Sequence, residues 1–386
     1  MSPVTVNAKP KVAVVVGTRP EAIKLAPLVN ALRQQGDYDP LLVASGQHRQ
    51  MLHQALQAFG LRPDLDLAVM REGQTLAGIT ARALEGLQEV LRVHRPAWVV
   101  VQGDTTTAFA AALCAFYERI PVAHVEAGLR SGRRDSPFPE EINRRLVDQI
   151  AEALFAPTAQ ARELLLAEGF SSHRIEVTGN TVVDALLAVR ERVRRAPVVI
   201  PGLSEDLLRG RRLVLVTAHR RESFGPALEQ VCQALRELAR SVPDVCIVYP
   251  VHLNPQVDGP VRRLLGEEPR VVLLPPVGYL EFVALLERCH LVMTDSGGVQ
   301  EEAPTFAKPL LVMREVTERP EGIAAGVARL VGTEAEAIVT QARRLLLDPA
   351  AYAAMASGHN PYGDGRASAR IAASLRQRAS ASERAA

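Results

Sequence analysis

The sequence predicts an α/β protein built from two doubly wound domains that face a cleft, and three observations support this fold class. The chain has 386 residues, which is too long for one ordinary core at roughly 150 residues per domain. Short apolar, β-branched runs alternate with helical stretches, as expected for strand–helix units of a parallel sheet. This alternation occurs twice, on either side of a segment at 197–202 whose proline and glycine are typical of a linker.

The composition excludes several classes of protein. A hydrophobic content of 47% with 23% charged residues is typical of a soluble globular chain. No apolar run approaches the roughly 20 residues of a membrane span, and residues 1–11 lack the apolar core of a secretory signal. A net charge of +2 and 4% aromatic residues argue against a nucleic-acid partner. The cysteines form no CxxC pair and are expected to be reduced core residues of a cytoplasmic protein: Cys114, Cys232, Cys246 and Cys289.

The first series of strand–helix units predicts a Rossmann-like domain over residues 1–178. Predicted strands lie at 12–16, 41–44, 98–101, 121–125, 154–156 and 175–177. The turn Gly17–Glu21 leads into a helix, and further helices are predicted at 51–59 and 76–93, after Asp104, after Pro139 and from about 181 to 195.

The second series predicts another Rossmann-like domain over residues 179–363. Predicted strands lie at 213–217, 245–249, 271–274, 290–293, 310–313 and 328–331. Helices are predicted from Pro226, at 279–288 and after Gly298. The basic, alanine-rich stretch 368–386 is a further helix candidate. The cleft between two such domains is the natural place for a ligand.

Three carboxylates follow the predicted strands of the first domain. Asp104 and Glu126 come after neighbouring strands, and Glu140 opens a helix. Ligands of parallel α/β sheets bind at the carboxyl ends of the strands, so these acids are candidates for chemistry. Asp104 could instead be a helix N-cap, and Glu140 an acid that complements a helix dipole. Glu126 has no such structural explanation.

Two glycines directly before a predicted helix indicate a phosphate site in the second domain. Ser296-Gly297-Gly298 lets backbone N–H groups approach phosphate oxygens, although a plain glycine-rich turn is the alternative. Glu302, one turn further on, is placed to accept ribose hydroxyls. Arg19 and Lys24, near the start of the first helix, could bind an anion or be solvated basic side chains. His219 could donate to a phosphoryl oxygen or be a structural histidine, and Arg319 could bind the same diphosphate. We find no metal-ligand spacing and no dinucleotide fingerprint.

Eleven sequence blocks then make a resemblance specific. In order from Gly17 to Ser368 they are GTRPEAIKLAPLV, GQHRQML, QGDTTT, HVEAGLRSG, SPFPEEINR, VTGNTVVDAL, AHRRESFG, YPVHLNP, TDSGGVQEEAP, TERPEG and NPYGDGRAS. Together they resemble the non-hydrolysing UDP-N-acetylglucosamine 2-epimerases of bacteria. The resemblance implies the GT-B fold of two Rossmann-like domains, with the C-terminal helix at 364–386 packing back on the first. It also implies interconversion of UDP-N-acetylglucosamine and UDP-N-acetylmannosamine for cell-surface polysaccharide, without metal or redox cofactor, by a cytoplasmic homodimer.

The resemblance also implies roles for individual residues. It assigns Asp104, Glu126, Glu140 and His219 to the catalytic set. It assigns substrate-phosphate contacts to Arg19, Lys24, Ser296, Gly297, Gly298 and Arg319, a ribose contact to Glu302, and a uracil pocket to Val277 and Phe282. Some members bind a second, activating UDP-N-acetylglucosamine at the positions of Gln47, Gln50, Arg220 and His252. Some members carry arginine where this chain has Gly73, a departure that concerns activation by substrate and not catalysis.

The sequence favours an epimerisation at C2 that has no redox step. The C2 proton of the sugar is not acidic, and oxidation at C3 would need a dinucleotide that the sequence gives no sign of binding. Expulsion of UDP from C1 while a carboxylate removes the C2 proton avoids both problems. A hydrolysing 2-epimerase that releases UDP and N-acetylmannosamine, a GT-B glycosyltransferase and a non-catalytic nucleotide-sugar sensor are the alternatives. The three acids argue against the sensor, and which acid serves which face of the sugar stays open.

Overall fold

The computed structural model describes residues 9–46, 49–69, 73–220 and 223–385, and its contacts divide the chain into two compact units. The first unit contains the described residues up to Ala188 and those from Gly363 onward. The second unit is Val189–Tyr362.

The first unit is a parallel sheet of seven strands with helices between them. The strands are β1 (Lys11–Val16), β2 (Asp39–Ala44), β3 (Leu65–Asp66), β4 (Trp98–Gln102), β5 (Val122–Val125), β6 (Ala153–Ala156) and β7 (Ile175–Val177). The helices are α1 (Arg19–Gln35), α2 (Arg49–Gln57), α3 (Leu76–His94), α4 (Thr106–Tyr117), α5 (Glu140–Ile150), α6 (Ala159–Ala167) and α7 (Thr181–Arg195), with a 3-10 turn at Ser172–Arg174. The strand order is β3-β2-β1-β4-β5-β6-β7, so the winding direction reverses between β1 and β4.

The sequence of the central strands explains their place in this sheet. Strand β1 reads KVAVVV and is buried beyond its first residue, as expected for a strand that helices cover on both faces. Apolar residues of β1, β4 and β5 form one core with α3 and α4. The turns that follow β1 and β4 therefore stand side by side, at the point where doubly wound sheets usually bind ligands.

The second unit repeats this plan with six parallel strands. They are β8 (Arg212–Thr217), β9 (Val245–Pro250), β10 (Val271–Leu274), β11 (Leu291–Thr294), β12 (Leu310–Val312) and β13 (Ala328–Leu330). The helices are α8 (Glu205–Leu208), α9 (Pro226–Ser241), α10 (Pro255–Leu265), α11 (Tyr279–Arg288), α12 (Gly297–Glu302), α13 (Pro320–Ala324), α14 (Ala335–Leu347) and α15 (Pro349–Ala356), with a 3-10 turn at Ala303–Phe306. The order β10-β9-β8-β11-β12-β13 reverses between β8 and β11.

The predicted fold class is confirmed: each unit is a doubly wound parallel sheet, and each predicted strand is present to within two residues. Several elements were not predicted from the sequence, among them strand β3 and helix α10. Strand β3 has only two residues, too few to produce a pattern. Helix α10 contains Pro255, Gly259 and Pro260, residues that ordinarily indicate a loop.

The C-terminal helix α16 (Ala367–Ala385) belongs to the first unit. The Asp184 carboxylate on α7 accepts hydrogen bonds from the backbone of Ala367 (3.2 Å) and Ser368 (2.7 Å). Further along α16, the Leu375 carbonyl accepts from Tyr38 Oη at 3.1 Å. The boundary between the two units lies within α7, after Ala188. The sequence predicts this boundary at 178–179.

The described residues also bear on cysteine chemistry and on membranes. All four cysteines are buried and free of disulfides, as the composition predicts. Within the described ranges, no helix is long and apolar enough to span a bilayer. Those ranges likewise contain no group of three or more His, Cys, Asp or Glu side chains that could hold a metal ion.

Candidate active site

The predicted acids of the first unit lie at the carboxyl edge of its sheet. Strands β4 and β5 pair in register, with Gln102 opposite Val125. Asp104 is two residues beyond the end of β4, and Glu126 follows β5 directly. The structure therefore brings the ends of these two strands together next to the turn that follows β1.

Glu126 occupies a backbone conformation that ordinary residues avoid. Its φ of 69° is left-handed, which costs a non-glycine residue roughly 1–2 kcal/mol. Its carboxylate is almost fully buried and accepts hydrogen bonds from Lys24 Nζ at 2.6 Å and Gln102 Nε2 at 2.7 Å. Strained residues that their surroundings hold in place cluster at functional sites. The geometry therefore supports a chemical role for Glu126 and pairs Lys24, a predicted phosphate contact, with this acid.

Asp104 is not the N-cap of α4, so that interpretation is wrong. Thr105 caps the helix, because its Oγ1 accepts from the Ala108 N–H at 3.0 Å. The Asp104 carboxylate instead forms an ion pair with Arg144. The backbone carbonyl of Asp104 accepts a hydrogen bond from Asn143 Nδ2 at 3.0 Å. Both partners are on α5, so this helix is attached to the turn after β4.

Glu140 is the first residue of α5, where a carboxylate also complements the helix dipole. The side chain is partly exposed. No described residue forms a hydrogen bond or ion pair with it. Asp104 and Glu126 are both held by cations, so Glu140 is the acid of the three whose carboxylate no described group occupies.

Glu21 is a buried acid for which the sequence predicted no individual role. Its carboxylate accepts hydrogen bonds from the backbone N–H of Gly17 (3.1 Å) and Thr18 (2.7 Å), and from Thr105 Oγ1 (2.7 Å). It therefore joins the turns after β1 and β4. Burial raises the pKa of Glu21 to about 7, against the opposing effect of these hydrogen bonds. An acid three residues after a helix-capping threonine is the signal that could have identified it.

The raised pKa of Glu21 predicts a pH-dependent stability. Below pH 4.5 the folded and unfolded states both bind the proton, and between 4.5 and about 7 only the folded state does. Stability should therefore fall as the pH rises through this window, by about 3 kcal/mol relative to Glu21→Gln, which cannot titrate. Urea unfolding of both proteins at a series of pH values measures the difference. Parallel pH profiles for the two proteins would contradict the assignment.

The turns of the second unit are joined by another buried acid, Asp295. It follows β11 and is 1% exposed. Its Oδ2 accepts from the backbone N–H groups of His219 and Arg220, both at 2.8 Å. Since these residues follow β8, Asp295 fixes the turn after β8 against the turn after β11. The sequence block beginning TDSGG contains this residue, but only the tertiary contact reveals what it does.

Two arginines flank the glycines of the predicted phosphate site. A Cβ built on Gly297 would lie 3.3 Å from Arg220 Nη2 and 3.9 Å from Arg319 Nη2. The Glu301 carboxylate holds the Arg319 guanidinium, accepting from Nε at 2.6 Å. Backbone N–H groups beside two guanidinium groups are the donors that phosphate oxygens prefer. Arg220, predicted to bind an activator, thus lies at the same glycine as a predicted substrate contact.

His219 directly precedes Arg220 and stacks on His252. The two ring centroids are 5.4 Å apart, with 15° between the planes. Partial removal from water lowers the pKa of His219; Asp295 opposes this effect, and His252 and Arg220 reinforce it. A neutral ring can donate one N–H to a phosphoryl oxygen. His252 Nδ1 accepts from the Asn254 N–H at 3.0 Å.

The remaining predicted residues are distributed over both units. Ser296 precedes α12, Gly298 is its second residue and Glu302 its last. Val277 lies in the segment between β10 and α11, and Phe282 lies in the first turns of α11; both are partly exposed. Arg19 is the first residue of α1, and no described residue forms a hydrogen bond or ion pair with its guanidinium. Gln47 and the side chain of Gln50 lie outside the described residues, and Gly73 occupies an exposed turn with φ 68°.

Comparison with known proteins shows where the chain belongs. Residues 30–376 match the profile of the family described as UDP-N-acetylglucosamine 2-epimerase. The UDP-N-acetylglucosamine 2-epimerase of Salmonella typhimurium is 52% identical over 369 residues, covering 95% of this chain and 98% of its own; that of Escherichia coli K12 is 50% identical with the same coverage. The crystal structure of UDP-GlcNAc 2-epimerase from Neisseria meningitidis bound to UDP-GlcNAc is 42% identical and superimposes with a TM-score of 0.87, covering 95% of this chain and 100% of that one. The chain is therefore a member of the UDP-N-acetylglucosamine 2-epimerase family.

Proposed function

We propose that the chain reversibly epimerises UDP-N-acetylglucosamine at C2 to give UDP-N-acetylmannosamine, by elimination and re-addition of UDP. The observation that carries the proposal is the grouping of acids and anion-binding groups at the two sheet edges. Asp104, Glu126 and the start of α5 meet in the first unit, and the second unit places Arg220 and Arg319 beside Gly297. The solved relative from Neisseria meningitidis, which has UDP-GlcNAc bound, supports the choice of substrate.

The proposed diphosphate site uses cations that the fold presents at helix starts. Arg19 begins the 17-residue helix α1, whose dipole also favours an anion at its N-terminus. Arg319 precedes α13, and its ion pair with Glu301 fixes the guanidinium plane. A leaving UDP gains negative charge as the C1–O bond breaks, and positioned cations stabilise that charge in the transition state.

The proposed reaction assigns the acids to the sugar. One carboxylate removes the C2 proton, the electron pair of that bond forms a C1–C2 double bond, and the C1–O bond breaks to release UDP. In re-addition, an acid delivers a proton to C2 from the opposite face while the UDP oxygen attacks C1. Proton transfer at both faces needs acid/base groups on two sides, and three carboxylates provide them. No described residue forms a hydrogen bond or ion pair with the Glu140 carboxylate, so this group is suited to proton transfer. The proposal also includes assembly as a homodimer in the cytoplasm. It further includes activation by a second substrate molecule and supply of N-acetylmannosamine to cell-surface polysaccharide.

Arg19→Ala tests the binding half of this proposal. We expect UDP affinity to fall by about 1.5–3 kcal/mol, the usual cost of losing a charge-assisted hydrogen bond. No described group depends on the guanidinium, so the free energy of unfolding should change little. Calorimetric titration with UDP measures the affinity. Arg343→Ala on α14, which removes an exposed arginine that is not among the predicted phosphate contacts, is the matched control. Equal affinities for the two variants would remove Arg19 from the site.

The reaction itself can be followed by isotopes. In deuterated water, epimerisation should exchange the C2 proton of UDP-N-acetylglucosamine for deuterium. Oxygen-18 placed in the C1–O bridge should scramble into non-bridging positions of the β-phosphate, because released UDP can rotate before re-addition. Deuterium exchange without scrambling would contradict elimination. Free N-acetylmannosamine as the product would instead identify a hydrolysing enzyme.

A further inference from the structure

A buried histidine on β5 connects the three elements that carry the acids. His124 is a fully buried residue of β5 and lies two residues before Glu126, which directly follows this strand. Its Nε2 is 2.8 Å from the carbonyl oxygen of Gly103, the residue before Asp104. Its Nδ1 is 2.6 Å from Asp148 Oδ1 on α5, the helix that Glu140 begins. The imidazole therefore contacts the turn after β4 and helix α5, and the strand that carries it leads directly into Glu126.

The partners of His124 continue into a chain of alternating charges. The other oxygen of Asp148 forms an ion pair with Arg130 Nη1 at 2.8 Å. Arg130 in turn makes a two-pronged contact with Glu168, through Nε at 2.8 Å and Nη2 at 2.6 Å. His124 and Asp148 have fully buried side chains, and the Arg130 side chain is 5% exposed. Desolvating such groups is costly, and apolar residues of similar volume usually serve a core as well or better. Stability alone therefore does not account for this arrangement.

The hydrogen-bond partners of His124 determine which of its ring nitrogens carries a proton. The Gly103 carbonyl can only accept, so Nε2 must carry a proton and donate it. Nδ1 and Asp148 then share one further proton along their 2.6 Å contact. The imidazole is consequently held in the state that donates to Gly103. That carbonyl belongs to the peptide that leads into Asp104, and Gly103 itself is left-handed with φ 69°.

We propose that His124 is a positioning residue for the epimerisation, and that its bond to the Gly103 carbonyl sets Asp104 in place relative to Glu126 and Glu140. Asp148 and Arg130 hold the imidazole for this purpose. The inference rests on the proposed function, which supplies the reaction that these acids would carry out. Misplacement of a catalytic group by about 1 Å can cost about 10²-fold in rate, so a single lost anchor has a measurable consequence.

Two substitutions at His124 separate the bond to Gly103 from the bond to Asp148. The amide nitrogen of glutamine reaches approximately the position of Nε2, so His124→Gln can still donate to Gly103. Asparagine reaches approximately the position of Nδ1, so His124→Asn can meet Asp148 but leaves the Gly103 carbonyl without its donor. We expect kcat to fall about 10²-fold in His124→Asn and less than about 10-fold in His124→Gln, with KM within about 3-fold of wild type in both.

Asp148→Asn supplies an independent test that does not alter the imidazole. The amide can accept from Arg130 and donate to Nδ1, which leaves Nε2 protonated toward Gly103. We expect kcat within about 3-fold of wild type, whereas a role confined to the buried ion pair would make this variant defective. Nitrogen-15 NMR of labelled histidine should show a neutral ring with Nε2 protonated in Asp148→Asn. Asp184→Asn, at another buried carboxylate of the same unit, controls for general destabilisation.

The outcomes distinguish this inference from the proposed function. A wild-type protein that does not epimerise UDP-N-acetylglucosamine contradicts the proposed function. An active wild type whose kcat is equally affected in His124→Gln and His124→Asn, or affected in neither, overturns the inference alone. Should either His124 variant fail to fold, Asp148→Asn decides the matter, since a large loss of kcat with the Nε2 proton retained also overturns it.

Discussion

Glu126→Gln is expected to lower kcat for epimerisation by about 10²–10⁴-fold, the usual contribution of a positioned acid/base group. The amide has nearly the shape of the carboxylate and can still accept from Lys24 and Gln102, but it cannot take up a proton from C2. UDP affinity should stay within a few-fold of wild type, because this residue is assigned to the sugar. Initial rates by proton NMR and calorimetric titration with UDP measure the two quantities.

A second lysine–carboxylate pair in the same unit supplies the control for Glu126→Gln. Lys11 Nζ and Asp39 Oδ2 are 2.8 Å apart, with side chains 36% and 56% exposed, whereas the Lys24–Glu126 pair is nearly buried. Exposed pairs contribute about 0–1 kcal/mol, so Asp39→Asn should leave both stability and kcat almost unchanged. A Glu126→Gln protein as active as Asp39→Asn would exclude Glu126 from the chemistry.

Glu140→Gln is expected to reduce kcat by a similar factor of about 10²–10⁴ with only a small cost in stability. No described residue forms a hydrogen bond or ion pair with this carboxylate, so the free energy of unfolding should fall by less than about 1 kcal/mol, the usual contribution of an acid that complements a helix dipole. Glu126→Gln, by contrast, weakens a buried ion pair. Urea unfolding beside the rate assay gives the comparison, and an active Glu140→Gln protein would remove Glu140 from the acid/base set.

The sequence predicted the sheets and the polar residues at their edges because both depend on local patterns. Buried parallel strands are continuous apolar runs, and their ends are followed by glycines and charged residues. Asp104, Glu126 and Gly297 were found in this way. The pairing of strands places Asp104 and Glu126 at the carboxyl edge of the first sheet, and Gly297 at the carboxyl edge of the second, without further information from side chains.

What the sequence did not predict are contacts between residues distant along the chain. The ion pair of Lys24 with Glu126 joins residues 102 positions apart, and the hydrogen bond from His219 to Asp295 spans 76. The preference of aspartate for helix N-caps favoured Asp104 in that role, but the adjacent Thr105 caps α4. The left-handed backbone of Glu126 has no sequence signal, because glutamate ordinarily avoids that conformation.

The buried Glu21 carboxyl also has a thermodynamic consequence for calorimetry. At pH 6 the folded chain holds a proton on Glu21 that the unfolded chain gives up, so unfolding transfers nearly one proton to the buffer. The heat absorbed by the sample then includes the heat of protonating the buffer. Phosphate and imidazole differ strongly in that heat, so apparent enthalpies measured in the two buffers at equal pH differ although the protein is the same.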